Sequence, residues 1–231
     1  MKIEALHQSR AILFDFGGTL DSEGERWPDR FYALYEEVAP DVPREEIKRA
    51  FYYAEEACYA DPNVTRLDLR ALIGAHVRLQ FEALGLKDRR KEGAIAEMFC
   101  SASEQCMLRA SGLLERAHAR YRLGIVSNFY GNLAVVLKKA GLLPFLDVVV
   151  DSNLVGTQKP DLEIFRCALE KLELVAQQVV FVGDSYERDI VPSKQLGMKT
   201  VWLKRPNSDA TGGAEADISI SSLSELEALI L

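Results

Sequence analysis

The sequence contains few cysteines, and their spacing does not fit a disulfide framework or a zinc site. The four (Cys58, Cys100, Cys106 and Cys167) are scattered without a CxxC pair, and the three histidines show no HExxH spacing. No run of residues approaches the roughly 18 consecutive apolar residues of a membrane span. The opening segment, MKIEALHQSR, has no apolar core of the kind found in secretory signals. We therefore expect a protein of the reducing cytoplasm with no membrane partner.

The sequence also lacks an excess of positive charge. Its 28 Lys and Arg residues against 35 Asp and Glu give a net charge of −7, which argues against a nucleic-acid partner or an anionic membrane surface. The 48% hydrophobic and 27% charged fractions are ordinary for a globular protein. A chain of 231 residues can bury a sizeable core, either as one domain or as one domain with an insertion. The sequence does not indicate an oligomeric state.

Short, continuous apolar runs recur along the chain and are typical of strands covered on both faces. They lie at residues 11–16, 123–128, 147–152, 179–184, 200–204 and, more weakly, 218–220. Helix-like stretches separate most of the later runs, and the helix-like stretches at 132–140 and 189–196 are followed by Gly141 and Gly197. This alternation predicts an α/β fold with an open parallel sheet and helices on both faces. Ligands bind at the carboxyl ends of such strands, which directs attention to Asp15, Ser127, Asp151 and Asp184.

The segment from residue 22 to residue 108 interrupts this alternation. It carries four sets of apolar residues at helical spacing and no strand pattern. Pro28, Pro43 and Pro62 lie near the predicted helix starts, where proline is well tolerated. We therefore predict an all-helical cap at 22–108, inserted into an α/β core formed by residues 1–21 and 109–231.

Four short segments lie where such a sheet would place its active site. They are residues 15–20 (DFGGTL), Ser127-Asn128, Lys159-Pro160, and the group Gly183-Asp184-Ser185 with Asp189. Each is a weak signal alone, but together and in this order they resemble the motifs of the haloacid dehalogenase superfamily of hydrolases. The resemblance covers nearly the whole chain, including the position of the helical cap. It implies a Rossmann-like core and a phosphatase-like hydrolase.

The residues of these motifs suit phosphoryl transfer. A carboxylate such as Asp15 can attack phosphorus and form an acyl phosphate. Three carboxylates beside one lysine would repel a phosphate dianion unless a hard cation were present, and Mg²⁺ with oxygen ligands is the economical choice. The Ser127 hydroxyl, with Asn128 and Lys159, would hold the phosphate oxygens of a small phosphorylated substrate, and Thr19 would orient the loop that carries Asp15.

The resemblance also assigns the metal ligands. It implies that Asp15 is both nucleophile and metal ligand, that Asp184 is a second ligand and that Asp189 supports the metal site from outside. In the superfamily, the residue two positions after the nucleophile gives a backbone carbonyl to the metal, a role that Gly17 can still fill.

Gly17 is also the one departure from the superfamily pattern. The phosphatases of the superfamily usually carry an aspartate at this position, and its side chain protonates the leaving oxygen and later activates water. Loss of a positioned general acid typically costs roughly 10²–10⁴-fold in rate. The first hypothesis is therefore a Mg²⁺-dependent phosphohydrolase that is limited to good leaving groups or uses a substitute acid, such as Asp21, Glu23 or Glu25.

A second and a third hypothesis are compatible with the same residues. In the second, the chemistry follows the branches that also lack this aspartate: the dehalogenases, which need no metal, or the phosphonatases, in which a cap lysine forms a Schiff base. The cap lysines here are Lys48, Lys87 and Lys91. In the third, the protein is a catalytically weak module that binds a phosphorylated ligand. Specificity is expected from cap residues such as Trp27, Arg30, Tyr53 and Arg66.

Overall fold

A computed structural model describes residues 6–204 and 216–231 of the chain. Within these residues, six strands form one parallel sheet in the order β3-β2-β1-β4-β5-β6. The strands are β1 (Ala11–Phe14), β2 (Arg122–Ser127), β3 (Val148–Asp151), β4 (Val179–Gly183), β5 (Lys199–Leu203) and β6 (Ile218–Ile220). The α/β class and all six predicted strands are confirmed, with ends within one or two residues of the apolar runs.

Both faces of the sheet are covered, as the continuous apolar runs predict. Successive residues of β1 alternate between the two sides: Ile12 and Phe14 pack in one hydrophobic cluster, and Ala11 and Leu13 pack in another. Helices α1 to α4 belong to the segment between β1 and β2, which is described next. The helices of the α/β part are α5 (Leu133–Lys139), α6 (Ser152–Val155), α7 (Leu162–Leu172), α8 (Val191–Gln195) and α9 (Leu223–Ile230). The side chains of α7 fill the second cluster.

The segment between β1 and β2 contains helices joined by turns and loops and has no strand, and the structure describes all of its residues. Its four α-helices are α1 (Trp27–Val38), α2 (Arg44–Ala60), α3 (Leu69–Ala83) and α4 (Arg89–His118). Pro28 and Pro43 lie at the starts of α1 and α2, but Pro62 begins a short 3₁₀ turn, Pro62–Arg66, rather than an α-helix. In place of a proline, the Asp68 side chain caps the start of α3 by accepting a hydrogen bond from the Ala71 N–H.

The helical segment packs directly on the α/β core. One hydrophobic cluster joins cap residues such as Phe31 and Phe51 to strand residues such as Ile12 and Ile125. Helix α4 is 30 residues long and continues past the predicted boundary at residue 108, so that its C-terminal half packs beside β2 and α9. None of the described helices is both long enough and apolar enough to cross a membrane.

Candidate active site

Asp15 follows β1 directly, and the chain then makes a wide helical turn over Phe16–Leu20. The Asp15 side chain is buried and lies at the carboxyl edge of the sheet. Gly18 adopts a φ of 98°, and a Cβ atom there would collide with the Asp184 carboxylate. Glycine at this position therefore allows the loop that carries Asp15 and the end of β4 to approach each other closely.

Lys159 links two carboxylates from different motifs. Its Nζ lies 2.6 Å from Asp15 Oδ1 and 2.6 Å from Asp189 Oδ1, and all three side chains are buried. Burial alone would lower the pKa of Lys159, but the two carboxylates outweigh it and raise the pKa above its usual value. Lys159 is therefore held as a cation between them.

Ser127, at the end of β2, completes the contacts to Asp15. Its hydroxyl donates a hydrogen bond of 2.9 Å to Asp15 Oδ1, the same oxygen that Lys159 contacts. The side-chain amide of Asn128 binds the backbone of Lys159. It donates a hydrogen bond to the Lys159 carbonyl at 3.0 Å and accepts one from the Lys159 N–H at 2.8 Å. Asn128 thus positions the lysine, besides lining the cavity described below.

Asp15, Asp184 and Asp189 form a carboxylate cluster. Each offers an oxygen within 4.8 Å of the others. The Asp189 carboxylate also accepts the Ser185 N–H at 3.0 Å, and Thr19 Oγ1 lies 3.4 Å from Asp184 Oδ1. A Cβ atom at Gly183 would collide with Asp189, so this glycine is needed for the cluster to form.

The cluster carries more negative charge than Lys159 balances. Burial, together with Asp15 and Asp189, raises the pKa of Asp184 well above its usual range. Burial and Asp15, opposed by Lys159, raise the pKa of Asp189 to about 6. A site of three clustered carboxylates with one lysine fits a hard divalent cation such as Mg²⁺, because such an ion prefers oxygen ligands and removes the repulsion.

A cavity of about 250 Å³ opens over this cluster, between the α/β part and the cap. Of the residues in the four motifs, Asp15, Gly17, Ser127, Asn128, Lys159, Asp184, Ser185 and Asp189 line it. Asp151 does not. Its carboxylate accepts hydrogen bonds from the N–H groups of Gly131, Leu133 and Asn153 and so caps the helices that follow β2 and β3.

The cap side of the cavity differs from the sequence expectation. Trp27 lines the cavity, whereas Arg30, Tyr53 and Arg66 are not part of its lining. The cap instead contributes Phe51, Tyr52 and Glu55 from α2, and Arg188 approaches from the α/β part. Helical spacing places Phe51, Tyr52 and Glu55 on one face of α2, but the sequence does not tell which face meets the cavity.

Trp27 fills the space beside Gly17. A Cβ atom on Gly17 would lie 3.4 Å from the indole Nε1, at the near limit of ordinary contact. Gly17 has φ −75° and ψ 114°, values open to any residue. The missing side chain at position 17 is thus a chemical departure and not a requirement of the backbone.

The three acids considered as replacements for that side chain are placed elsewhere. Asp21 is fully buried, and its carboxylate accepts hydrogen bonds from Gly18, Ser22, Trp27 and Arg30. Glu23 pairs with Arg109 at 3.3 Å. Neither these two residues nor Glu25 belong to the cavity lining.

The cap lysines do not line this cavity either. Among the described residues that line it, Lys159 is the one lysine. Lys48 and Lys87 are exposed, and Lys91 is half-buried at the start of α4. The structure therefore places none of the described cap amines where a Schiff base with a ligand of this cavity would form.

Comparison with known proteins agrees with this geometry. Residues 12–203 match the profile of the haloacid dehalogenase-like hydrolases. A glyceraldehyde 3-phosphate phosphatase from Methanocaldococcus jannaschii is 42% identical over 91 residues, which make up 39% of this chain and 40% of that enzyme. A phosphoserine phosphatase from Thermus thermophilus is 30% identical, with 97% of this chain and 93% of that enzyme covered.

Among solved structures, the fold resembles a dehalogenase crystallised as an intermediate complex. The TM-score is 0.64 at 22% sequence identity, with 96% of this chain and 97% of that chain covered. At 22% sequence identity, this likeness concerns the fold alone.

Proposed function

Because the chain belongs to the haloacid dehalogenase-like hydrolases, we propose that it is a Mg²⁺-dependent phosphohydrolase acting on a small phosphorylated metabolite. The observation that carries this proposal is the cluster of Asp15, Asp184 and Asp189 around Lys159 at the mouth of one cavity. Two relatives named as phosphatases, of glyceraldehyde 3-phosphate and of phosphoserine, support the same reaction class.

Asp15 is the nucleophile in this proposal. Both Ser127 and Lys159 contact its Oδ1, so the other oxygen, Oδ2, is the one that attacks phosphorus. The contacts to Oδ1 fix the direction of the carboxylate before substrate binds, which lowers the entropic cost of reaching the reactive geometry.

Lys159 and Ser127 also face the phosphoryl group. The lysine ammonium and the serine hydroxyl are hydrogen-bond donors in a buried site, where they stabilise negative charge on phosphate oxygens more strongly than they would in water. Thr19 holds the Asp184 side chain and Asn128 holds the Lys159 backbone, so both act by positioning.

Asp15, Asp184 and the Gly17 carbonyl would hold the Mg²⁺ ion, with Asp189 supporting the site through Lys159 and the Ser185 N–H. When bound, this ion supplies charge neutralisation and polarises a phosphoryl oxygen. The excess negative charge of the cluster is the structural reason to expect it.

The same geometry weighs against the second and third hypotheses. A phosphonatase-type Schiff base needs a cap lysine in the cavity, and none of the described cap lysines lies there. A metal-independent dehalogenase does not need three clustered carboxylates at this edge, and neither does a module that only binds a ligand. The phosphatase-type reaction uses every charged group of the cluster.

The test is trapping of the acyl phosphate. Wild-type protein incubated with radiolabelled acetyl phosphate and Mg²⁺ should retain acid-stable label on Asp15, as located by peptide mapping. Asp15→Asn should lose both the label and the hydrolysis of acetyl phosphate. Asp41→Asn is the matched control, because Asp41 is exposed and lies outside the cavity. Absence of label and turnover in the wild type, or release of halide from a 2-haloacid without metal, would refute the proposal.

A further inference from the structure

The cap places a carboxylate in the same cavity as the nucleophile. Glu55 lies on α2, half-buried, and lines the cavity together with Asp15, Gly17 and Lys159. Among the described residues of the cavity lining, it is the one acidic side chain that the cap contributes. The attacking carboxylate is therefore on the sheet side, and Glu55 is on the cap side.

The surroundings of Glu55 favour its protonated form. Burial raises the pKa of Glu55, and the guanidinium of Arg188, on the turn after β4, opposes this in part. Its charge is also felt by Tyr59 and Cys58 on its own helix and by Tyr130 on the loop after β2. The cavity lining adds Arg26 and Tyr52 from the cap and Glu187 from the turn after β4. A raised pKa brings a carboxyl group closer to the range in which a general acid and base works best.

The geometry points to Glu55 as the general acid and base of the reaction, acting from the cap in place of the side chain that Gly17 lacks. This inference rests on the proposed function, because it assigns one further catalytic residue to the same phosphoryl transfer. The substrate class that follows is wider than acyl phosphates: with an acid in the cavity, alkyl phosphates become substrates.

The two half-reactions then balance. In the first, a bond forms between Asp15 Oδ2 and phosphorus while the bond from phosphorus to the alkoxy oxygen breaks. The leaving oxygen keeps the electron pair of that bond, takes the proton of Glu55 and departs as an alcohol.

In the second half-reaction, a water oxygen bonds to phosphorus and the Glu55 carboxylate takes a proton from that water. The bond between Asp15 and phosphorus breaks, its electron pair returns to the Asp15 carboxylate, and inorganic phosphate leaves. Glu55 is protonated again, ready for the next cycle.

The remaining acids near the nucleophile are poorer candidates for this role. Asp21 is engaged by four hydrogen-bond donors, and Glu23 is paired with Arg109. Glu187 also lines the cavity, but it is exposed to solvent on the turn between Asp184 and Asp189, whereas Glu55 is half-buried on the cap side.

The test compares two substrates that differ in their need for a proton. Ethyl phosphate releases an alkoxide that must be protonated, whereas acetyl phosphate releases acetate, which needs no proton. Glu55→Gln should lower kcat/KM on ethyl phosphate by roughly 10²–10⁴-fold and change kcat/KM on acetyl phosphate by less than about tenfold, because kcat/KM reports formation of the acyl phosphate, the step before Glu55 acts as a base. Because both substrates give the same acyl phosphate, kcat on acetyl phosphate should also fall where its hydrolysis limits turnover. In the wild type we expect kcat/KM on ethyl phosphate to fall toward alkaline pH, and this fall should disappear in the variant.

The matched control is Glu56→Gln, which changes the neighbouring, exposed residue of the same helix. It should leave both substrates and the pH profile unchanged. Circular dichroism and the melting temperature of Glu55→Gln establish whether the cap is folded.

Three results would overturn the inference while leaving the acyl phosphate on Asp15 intact. The first is a wild type that hydrolyses acetyl phosphate but not ethyl phosphate. The second is an equal loss of kcat/KM on both substrates in Glu55→Gln, which indicates a binding or structural role. The third is a loss confined to ethyl phosphate in Glu187→Gln instead of Glu55→Gln. A wild type inactive on both substrates refutes the proposed function itself.

Discussion

Replacing Asp21 tests the contact that joins the loop carrying Asp15 to the cap. One carboxylate oxygen of Asp21, Oδ1, accepts the Gly18 N–H at 2.8 Å and the Ser22 hydroxyl at 3.0 Å. The other, Oδ2, accepts the Trp27 indole N–H at 2.7 Å and Arg30 at 3.1 Å. The Asp21 and Arg30 side chains are 0% and 6% exposed, so this pair is shielded from solvent.

Asp21→Asn keeps the shape of the side chain but removes its charge and turns one acceptor into a donor. Breaking a buried ion pair on one side costs about 3–5 kcal/mol, because the partner charge stays buried. A hydrogen-bond donor facing other donors adds about 1 kcal/mol. We expect a loss of about 4–6 kcal/mol in the free energy of unfolding, a large share of the total of a typical domain.

A double-mutant cycle isolates the pair. Asp21→Asn, Arg30→Met and the double variant are unfolded in urea, and we expect a coupling energy of about 2–3 kcal/mol. The control cycle uses Arg70 and Glu104, which approach more closely, at 2.6 Å, but are about half exposed. Its coupling should stay below about 1 kcal/mol because solvent screens the pair.

Equal coupling energies in the two cycles would contradict a stabilising role of burial for the pair of Asp21 and Arg30. A selective loss of ethyl phosphate hydrolysis in Asp21→Asn would contradict the structural role of Asp21, since that result would make it a proton donor. A structural role predicts equal losses on ethyl phosphate and acetyl phosphate, because the loop between Asp15 and Asp21 would loosen for every substrate.

Three more predictions concern the metal site, position 17 and the cap core. Asp184→Asn removes a carboxyl group whose pKa is raised by burial, so without Mg²⁺ the variant should have a higher melting temperature than the wild type. The variant should also lose the increase in melting temperature that Mg²⁺ gives the wild type, and calorimetry with and without EDTA checks both results. Gly17→Asp should fold, because the φ of −75° at this position suits any residue. In a Glu55→Gln background it should restore turnover of ethyl phosphate. If turnover is not restored, the two side chains do not perform the same role. Burial lowers the pKa of His76 from 6.5 to about 3, so stability is fully retained above pH 6.5 and falls below it by up to about 1.4 kcal/mol per pH unit. In urea titrations His76→Phe should flatten this acid loss, and an unchanged slope would contradict the assignment.

The regular parts of the molecule could be predicted because they depend on local patterns. Continuous apolar runs predict buried parallel strands, and helical spacing of apolar residues predicts the four cap helices. The residues at the strand ends follow from topology, since the carboxyl ends of parallel strands meet at one edge of the sheet. The sequence alone therefore brings Asp15, Ser127 and Asp184 to one edge, and the motif order adds Lys159.

The cap side of the cavity could not be predicted in the same way. Amphipathic helices reveal which residues are buried, but not which of the remaining faces looks into a cleft. Glu55 and Glu56 are neighbours in the sequence, and only the packing of α2 against the core directs the first toward the cavity that Asp15 lines. Arg30 and Tyr53 were equally reasonable as specificity residues, yet one is buried against Asp21 and the other is exposed.

The sequence by itself therefore determined the α/β core, the helical cap and the set of charged groups at the carboxyl edge of the sheet, because these follow from periodicity and from the order of the strands. The tertiary structure decided what each acid near Asp15 contacts. Asp21 binds Trp27 and Arg30, Asp151 caps two helices, and Glu55 faces the cavity. The physical reason is that burial and the position of hydrogen-bond donors, which depend on contacts between distant segments, determine the role of a carboxylate.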